Sequence, residues 1–184
     1  MSWVQIDKIS GYGGRFGMDA SMDGDYAIVG APYVDGYKGA SFILQKTNNN
    51  WSVLKKLAPS DLVANDIVGW SVAIHNDTAA MSTYQKDGGC IYVFEKNQGG
   101  ANNWGQVKKI PKATGVSNSF GFDIDLHGDY IVASDHQGKK AHVFKRDQGG
   151  ANNWGEFANL TNPDTSTASG RPVKISNDYI LVSH

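Results

Sequence analysis

The sequence predicts an all-β fold assembled from a repeated four-stranded unit of about fifty residues, and three observations carry that prediction. The octapeptide QGGANNWG at 98–105 recurs at 148–155, an offset of 50. Trp3, Trp51, Trp104 and Trp154 follow the same register, with spacings of 48, 53 and 50. Gly17, Gly69, Gly121 and Gly170 are each followed eight residues later by an aspartate, namely Asp25, Asp77, Asp129 and Asp178.

Each unit reads in the same order. A first, alternating strand begins at FGMDASMD (from Phe16), VGWSVAIH (from Val68), FGFDIDLH (from Phe120) or SGRPVKIS (from Ser169). It meets a two-residue turn, Gly24-Asp25, Asn76-Asp77, Gly128-Asp129 or Asn177-Asp178, whose residue types tolerate positive φ in a hairpin. A short apolar run follows, such as Tyr26 to Val29 or Tyr130 to Val132, and reads as a second strand covered on both faces. After a variable loop comes a third strand, SFILQK from Ser41, IYVFEK from Ile91 or AHVFKR from Ala141. An Asn/Gly-rich turn then leads to a fourth strand starting at the tryptophan. In WSVLKKL and WGQVKKI apolar residues alternate with lysines, as on an outer strand with one solvated side.

A lone four-stranded sheet cannot bury both its faces, so such units must stack, and radial stacking gives a β-propeller of four-stranded antiparallel blades. The whole chain, 1–184, reads as one domain with repeats at 16–57, 68–110 and 120–160, a partial repeat at 169–184, and 2–9 as an outer strand. That makes three complete repeats plus partial N- and C-terminal pieces. Propellers usually hold roughly four to eight blades. Either the chain is a piece of a longer propeller, or two copies form a homodimer that completes the ring and covers the apolar faces a half-ring exposes.

Composition narrows the function classes. Seventeen basic against eighteen acidic side chains give a net charge of -1, so no excess positive charge is available for phosphates, which argues against a nucleic-acid partner. No run of eighteen apolar residues predicts a membrane span, and the first ten residues lack the apolar core of a secretory signal. Cys90 is the single cysteine, so no internal disulfide can form. It aligns with Ala40 and reads as a small buried filler.

Phe16-Gly17 and Gly30-Ala31-Pro32 are the residues at which the chain resembles the FG-GAP repeat family, named for those two motifs. Phe120-Gly121 keeps the first half, Val68-Gly69 and Ser169-Gly170 keep the glycine, and the Gly-Ala-Pro positions have become Ser82-Thr83-Tyr84 and Ser134-Asp135-His136. The integrin-α-like branch of that family carries a longer acidic loop that binds calcium. The hairpins here, DGDY, HNDT, HGDY and SNDY, hold too few oxygen ligands for the six to eight that calcium takes, so no metal and no cofactor are expected. The chain is closer to the short-loop bacterial branch, which implies an extracellular or cell-surface setting and interaction rather than catalysis.

Catalytic patterns are missing: no GxSxG, HExxH, CxxC or P-loop occurs, and Asp19, Asp123 and Asp125 lie on first strands without forming an evident acid/base pair. His75 and His127 share one repeat position on different units, which argues against a joint metal site. His142 aligns with Phe42 and Tyr92, a packing position. Loops joining second to third strands gather on one face, and their Tyr33, Asp35, Tyr37, Tyr84, Asp87, Asp135 and His136, with Lys86 and Lys139, suit polar or sugar recognition. The opposite face repeats asparagines beside tryptophans, either as a multivalent glycan site or as turns preceding packed rings. The expected function is therefore a non-enzymatic scaffold or interaction propeller that recognises protein or glycan through its loops. A multivalent glycan-binding lectin is the first alternative, and a hydrolase-type enzyme with a loop-borne site the second.

Overall fold

The computed structural model describes residues 5, 7–10, 12–112, 119–161 and 172–183. Its strands are β1 (Ala20–Asp23), β2 (Tyr26–Ala31), β3 (Ala40–Thr47), β4 (Asn50–Leu57), β5 (Val72–His75), β6 (Thr78–Thr83), β7 (Cys90–Glu95), β8 (Gly105–Pro111), β9 (Phe120–His127), β10 (Tyr130–Asp135), β11 (Lys140–Lys145), β12 (Gly155–Thr161), β13 (Val173–Ser176) and β14 (Tyr179–Val182). Three antiparallel meanders, β1 to β4, β5 to β8 and β9 to β12, are followed by the hairpin β13–β14. Among the described residues, helix is confined to single turns at Val34–Tyr37 and Lys86–Gly88, and the three full repeats coincide with the three sheets. The expected outer strand at 2–9 lies partly outside the described residues. Residues 5 and 7–9 are not in a strand, although Asp7 accepts the Trp51 N–H at 2.9 Å. Trp3, Ser169, Gly170 and His184 also lie outside the described residues.

The repeat grammar has direct physical causes. Gly24, Asn76, Gly128 and Asn177 open the four hairpins with φ of 57°, 53°, 57° and 49°, the region that glycine and asparagine enter at least cost. Gly69 takes φ 85°, and a Cβ there would stand 2.3 Å from the Ala40 carbonyl oxygen of the preceding sheet. The register glycine is thus fixed by backbone conformation and by close packing together.

In the three full sheets the second strands are covered on both sides, as their unbroken apolar runs predict: every residue of β6 is buried. One core fills the space between the first two sheets around Ile28, Ile43, Met81, Tyr92 and Trp104. A second lies between the next two, around Ile91, Ile124, Ile131 and Trp154, and a third joins β10 and β11 to Val173 and Ile175. Trp104 and Trp154 directly precede β8 and β12 instead of opening them, a correction to the expected boundary. Each adopts a positive φ, 49° and 50°, and turns its ring inward to 0% and 1% exposure. Burying a ring of that size is worth roughly 4–6 kcal/mol before entropic losses. Trp104 meets Tyr26 of the preceding sheet at 5.6 Å, so the repeated tryptophan ties one sheet to the one before it.

Extensive contacts between consecutive sheets run through the first strands, β1, β5, β9 and β13. Each is an edge strand whose outward N–H groups lack a strand partner, and side chains of the preceding first strand supply the acceptors. Asp19 accepts from Val72 N–H at 2.8 Å, Ser21 from Ile74 at 3.2 Å and Asp23 from Asn76 at 2.6 Å. One sheet further, Ser71 accepts from Ile124 at 3.2 Å and His75 Nδ1 from Gly128 at 3.0 Å. Asp123 and Asp125 then accept from Val173 at 2.7 Å and Ile175 at 2.9 Å. Donor and acceptor are always one repeat apart.

Removing one such acceptor leaves an amide of the next sheet unpaired at a part-buried position. Asp125→Ala is expected to lower the unfolding free energy by roughly 1–3 kcal/mol, and Asp125→Asn, which keeps an oxygen acceptor, by clearly less. Denaturant melting of both variants checks this; equal losses would count against the staple.

Candidate functional site

First strands begin at the end of the stack from which the second-to-third-strand loops emerge. Immediately after the register glycines, Met18, Trp70 and Phe122 project there, and with Pro172 they wall a cavity of about 400 Å³. The wall is aromatic and layered. Trp70 meets Tyr84 edge-on at 4.9 Å and Phe122 at 5.6 Å, Tyr84 meets Phe122 at 5.3 Å, and Phe122 meets His136 at 5.9 Å. All four rings are partly exposed.

The cavity floor is made by Asp19, Ser71 and Asp123, the topmost staple residues. Ser71 Oγ lies 2.9 Å from Asp19 Oδ2 and 3.1 Å from Asp123 Oδ1, and its single proton can serve one of them at a time. Burial, together with the nearby Asp19 charge, holds the Asp123 carboxyl above the usual carboxylate range, against the opposing pull of the Val173 N–H, Lys174 and Ser71.

The structure distributes the sequence-predicted site residues unevenly. Tyr84 and His136 stand in the aromatic wall. Tyr33 and Tyr37 form a separate edge-on pair at 5.3 Å, with Arg15 over the Tyr33 ring. Asp35 pairs with Lys56 at 2.5 Å and Asp87 with Lys109 at 3.6 Å. Lys86 is engaged by Asp66 at 2.9 Å with both side chains nearly buried. Asp135 closes β10, is 1% exposed, and accepts the Gly138 N–H at 3.1 Å, so it shapes its loop from beneath. Cys90 is fully buried, and burial pushes its thiol up to about 11, in keeping with a packing role.

Residues 51–94 match the family model of the FG-GAP repeat. The chain carries an FG-GAP repeat. The match spans β4 to β7, so the family unit takes the last strand of one sheet with the first three of the next. A comparison with curated proteins finds no match. In FG-GAP terms, Tyr84 and His136 occupy the proline position of the Gly-Ala-Pro motif. That position opens the loop face, where a ring packs on Trp70 or Phe122 beside the cavity. Trp70 and Phe122 were not among the candidates, although Trp70 is the one tryptophan outside the 48-53-50 register.

The other end of the stack holds a larger cleft, about 580 Å³, between the second and third sheets. Its charges are matched: Arg146 binds Glu95, Asp129 and Thr78, and Lys96 lies 3.3 Å from Asp77 and over the Tyr26 ring. The asparagines beside the tryptophans are also engaged. Lys55 of the first sheet donates to Asn103 and Lys108 of the second to Asn153, while each amide donates back to Gln98 or Gln148. With Trp104 and Trp154 buried, the Asn/Trp pattern has the turn-and-packing role. His75 and His127, expected apart, meet at 4.3 Å between ring centroids because first strands of adjacent sheets are neighbours.

His142 occupies its expected packing position, 3% exposed against Phe120, but it also sits between two carboxylates. Its Nδ1 lies 2.7 Å from Glu156 and its Nε2 3.9 Å from Asp135. Burial opposes protonation, yet the nearby Asp135 carboxylate and the bond to Glu156 outweigh it and hold the imidazole above its usual value of 6.5. A raised folded value means that stability from this group is complete below 6.5 and is lost as pH rises through the folded value. Thermal melts across that window are expected to show falling stability, and His142→Gln to remove that part of the slope; an unchanged slope would exclude His142 as its source.

Proposed function

We propose that the chain is a recognition module that acts without catalysis, receiving a protein or a glycan on its loop face. One observation carries this reading: four partly exposed rings and a cavity of about 400 Å³ converge where successive first strands begin. Aromatic groups held on a rigid scaffold supply large contact area at small entropic cost, which suits binding. The carboxylates nearby have structural partners, since Asp19, Asp123 and Asp125 each accept a backbone N–H of the next sheet, and this favours scaffold over acid/base roles. FG-GAP repeat membership agrees with an interaction role. A lectin remains the alternative on the same face; its ligand would stack on Trp70 and Tyr84, since Trp104 and Trp154 of the opposite face are buried.

Peptide and glycan arrays probed with the wild-type chain and Trp70→Ala test this. Saturable binding of one class is expected, weakened roughly thirtyfold by the substitution, with an unchanged melting temperature. A ligand held equally by Trp70→Ala would refute the assignment, and a turnover abolished by Asp135→Ala or His136→Ala would replace binding by catalysis.

We also propose that a second copy covers the outer face of β13–β14. Tyr179 and Leu181 are 81% and 70% exposed there, whereas their register equivalents in the first sheet, Tyr26 and Ile28, pack into the core shared with the second. A dimer is expected by light scattering at micromolar concentration, reduced to monomer by Leu181→Lys. A monodisperse wild-type monomer would end the proposal.

A further inference from the structure

We propose that the loop-face cavity is built for an alkylammonium group, supplied by a lysine side chain of a partner or by a free polyamine. This deepens the reading of the loop face as a binding site and rests on it. Trp70 and Phe122 line the cavity, with Tyr84 packed against both rings. Ring faces attract cations and repel anions. The floor adds acceptors in place of donors. Ser71 Oγ takes the Ile124 N–H and turns its own proton toward Asp19 or Asp123, so the polar atoms left to a ligand are carboxylate oxygens.

Two carboxylates bridged by one hydroxyl in a walled cavity repel each other, and Asp19 contributes to the raised position of Asp123. None of the described residues lining the cavity is cationic; Lys174, on the flanking hairpin, is the cation that acts on Asp123. Each of these oxygens already accepts one bond, and a ligand carrying N–H donors and one positive charge adds to them, relieves the repulsion and lies against the rings. A neutral sugar would leave the charge uncompensated, and a phosphate or carboxylate would add to it.

Calorimetric titration of the full chain with N-acetyl-lysine methylamide, its uncharged norleucine analogue and putrescine tests the assignment. Saturable binding of the lysine derivative or of putrescine is expected, at least about tenfold tighter than that of the norleucine analogue and weakened about tenfold by added salt or by Asp123→Asn. Asp123→Asn keeps an oxygen for the Val173 N–H. Should it melt early, Trp70→Leu, at a partly exposed position, provides the same test through the ring. Stronger competition by the lysine derivative identifies a protein partner as the source, and stronger competition by putrescine a free polyamine. Equal binding of the norleucine analogue, or amine binding untouched by Asp123→Asn and Trp70→Leu, overturns the proposal. If an array ligand needs Trp70 but no amine binds, the ammonium assignment falls and the recognition module stands; if nothing binds the loop face, both fall.

Discussion

The fold depends on how an exposed strand edge is satisfied. Every first strand is the inner edge of its sheet, and its outward amides would face the next sheet without acceptors. Aspartate, serine and histidine side chains from one repeat earlier fill that need, seven times in succession along β1, β5 and β9. Carboxylate acceptors make these bonds stronger than neutral ones. Because each joins equivalent positions of consecutive repeats, the bonds fix the register of one sheet against the next. Apolar packing between sheets, which is non-directional, could not set that register by itself.

The same device creates the chemistry of the loop face. Acceptors that must point across a shared inner surface are brought close to one another, and at the topmost level Asp19 and Asp123 end up on the two sides of Ser71. Structural carboxylates thereby become the floor of a cavity. Their positions are held by backbone amides of adjacent sheets, so a ligand meets a preorganised surface and little has to be ordered on binding. The rings above are placed by the register glycines: positive φ at Gly17, Gly69 and Gly121 turns the following residue, Met18, Trp70 or Phe122, out toward the cavity.

Much of this architecture is legible in the residues because it repeats. Glycine, aspartate and tryptophan at a common spacing mark sheets, hairpins and packed rings, and the uninterrupted apolar second strands announce burial on both faces. The staples are not legible, since an acceptor such as Asp125 is visible in the sequence while its partner is a main-chain amide that any residue could provide. The contact of His75 with His127 was hidden for a related reason: equivalence of position implies different sheets, yet first strands of successive sheets are adjacent. Of the candidate residues, Tyr84 and His136 pack on the rings that line the cavity, while Asp135 turns inward and Tyr33, Asp35, Tyr37 and Asp87 have partners elsewhere. Loop residue types report exposure more readily than direction, whereas Trp70, a large ring standing outside the register, was the one sequence signal of the cavity itself.

Size alone would choose the other end of the molecule. The cleft of about 580 Å³ on the hairpin side is the larger, but its polar groups are spent on joining sheets: Arg146 bridges the second and third, as Lys55 and Lys108 bridge their own sheets to Asn103 and Asn153. A ligand there would have to break ion pairs before making any, and the ring among its lining residues, His75, already packs on His127 and accepts the Gly128 N–H. The smaller cavity has the opposite balance, with apolar walls, oxygen acceptors beneath them and a charge pair whose mutual repulsion a cation would relieve. What separates a joint from the proposed binding site in this repeat is therefore whether the matching charge already resides in the neighbouring sheet or is left for something else to bring.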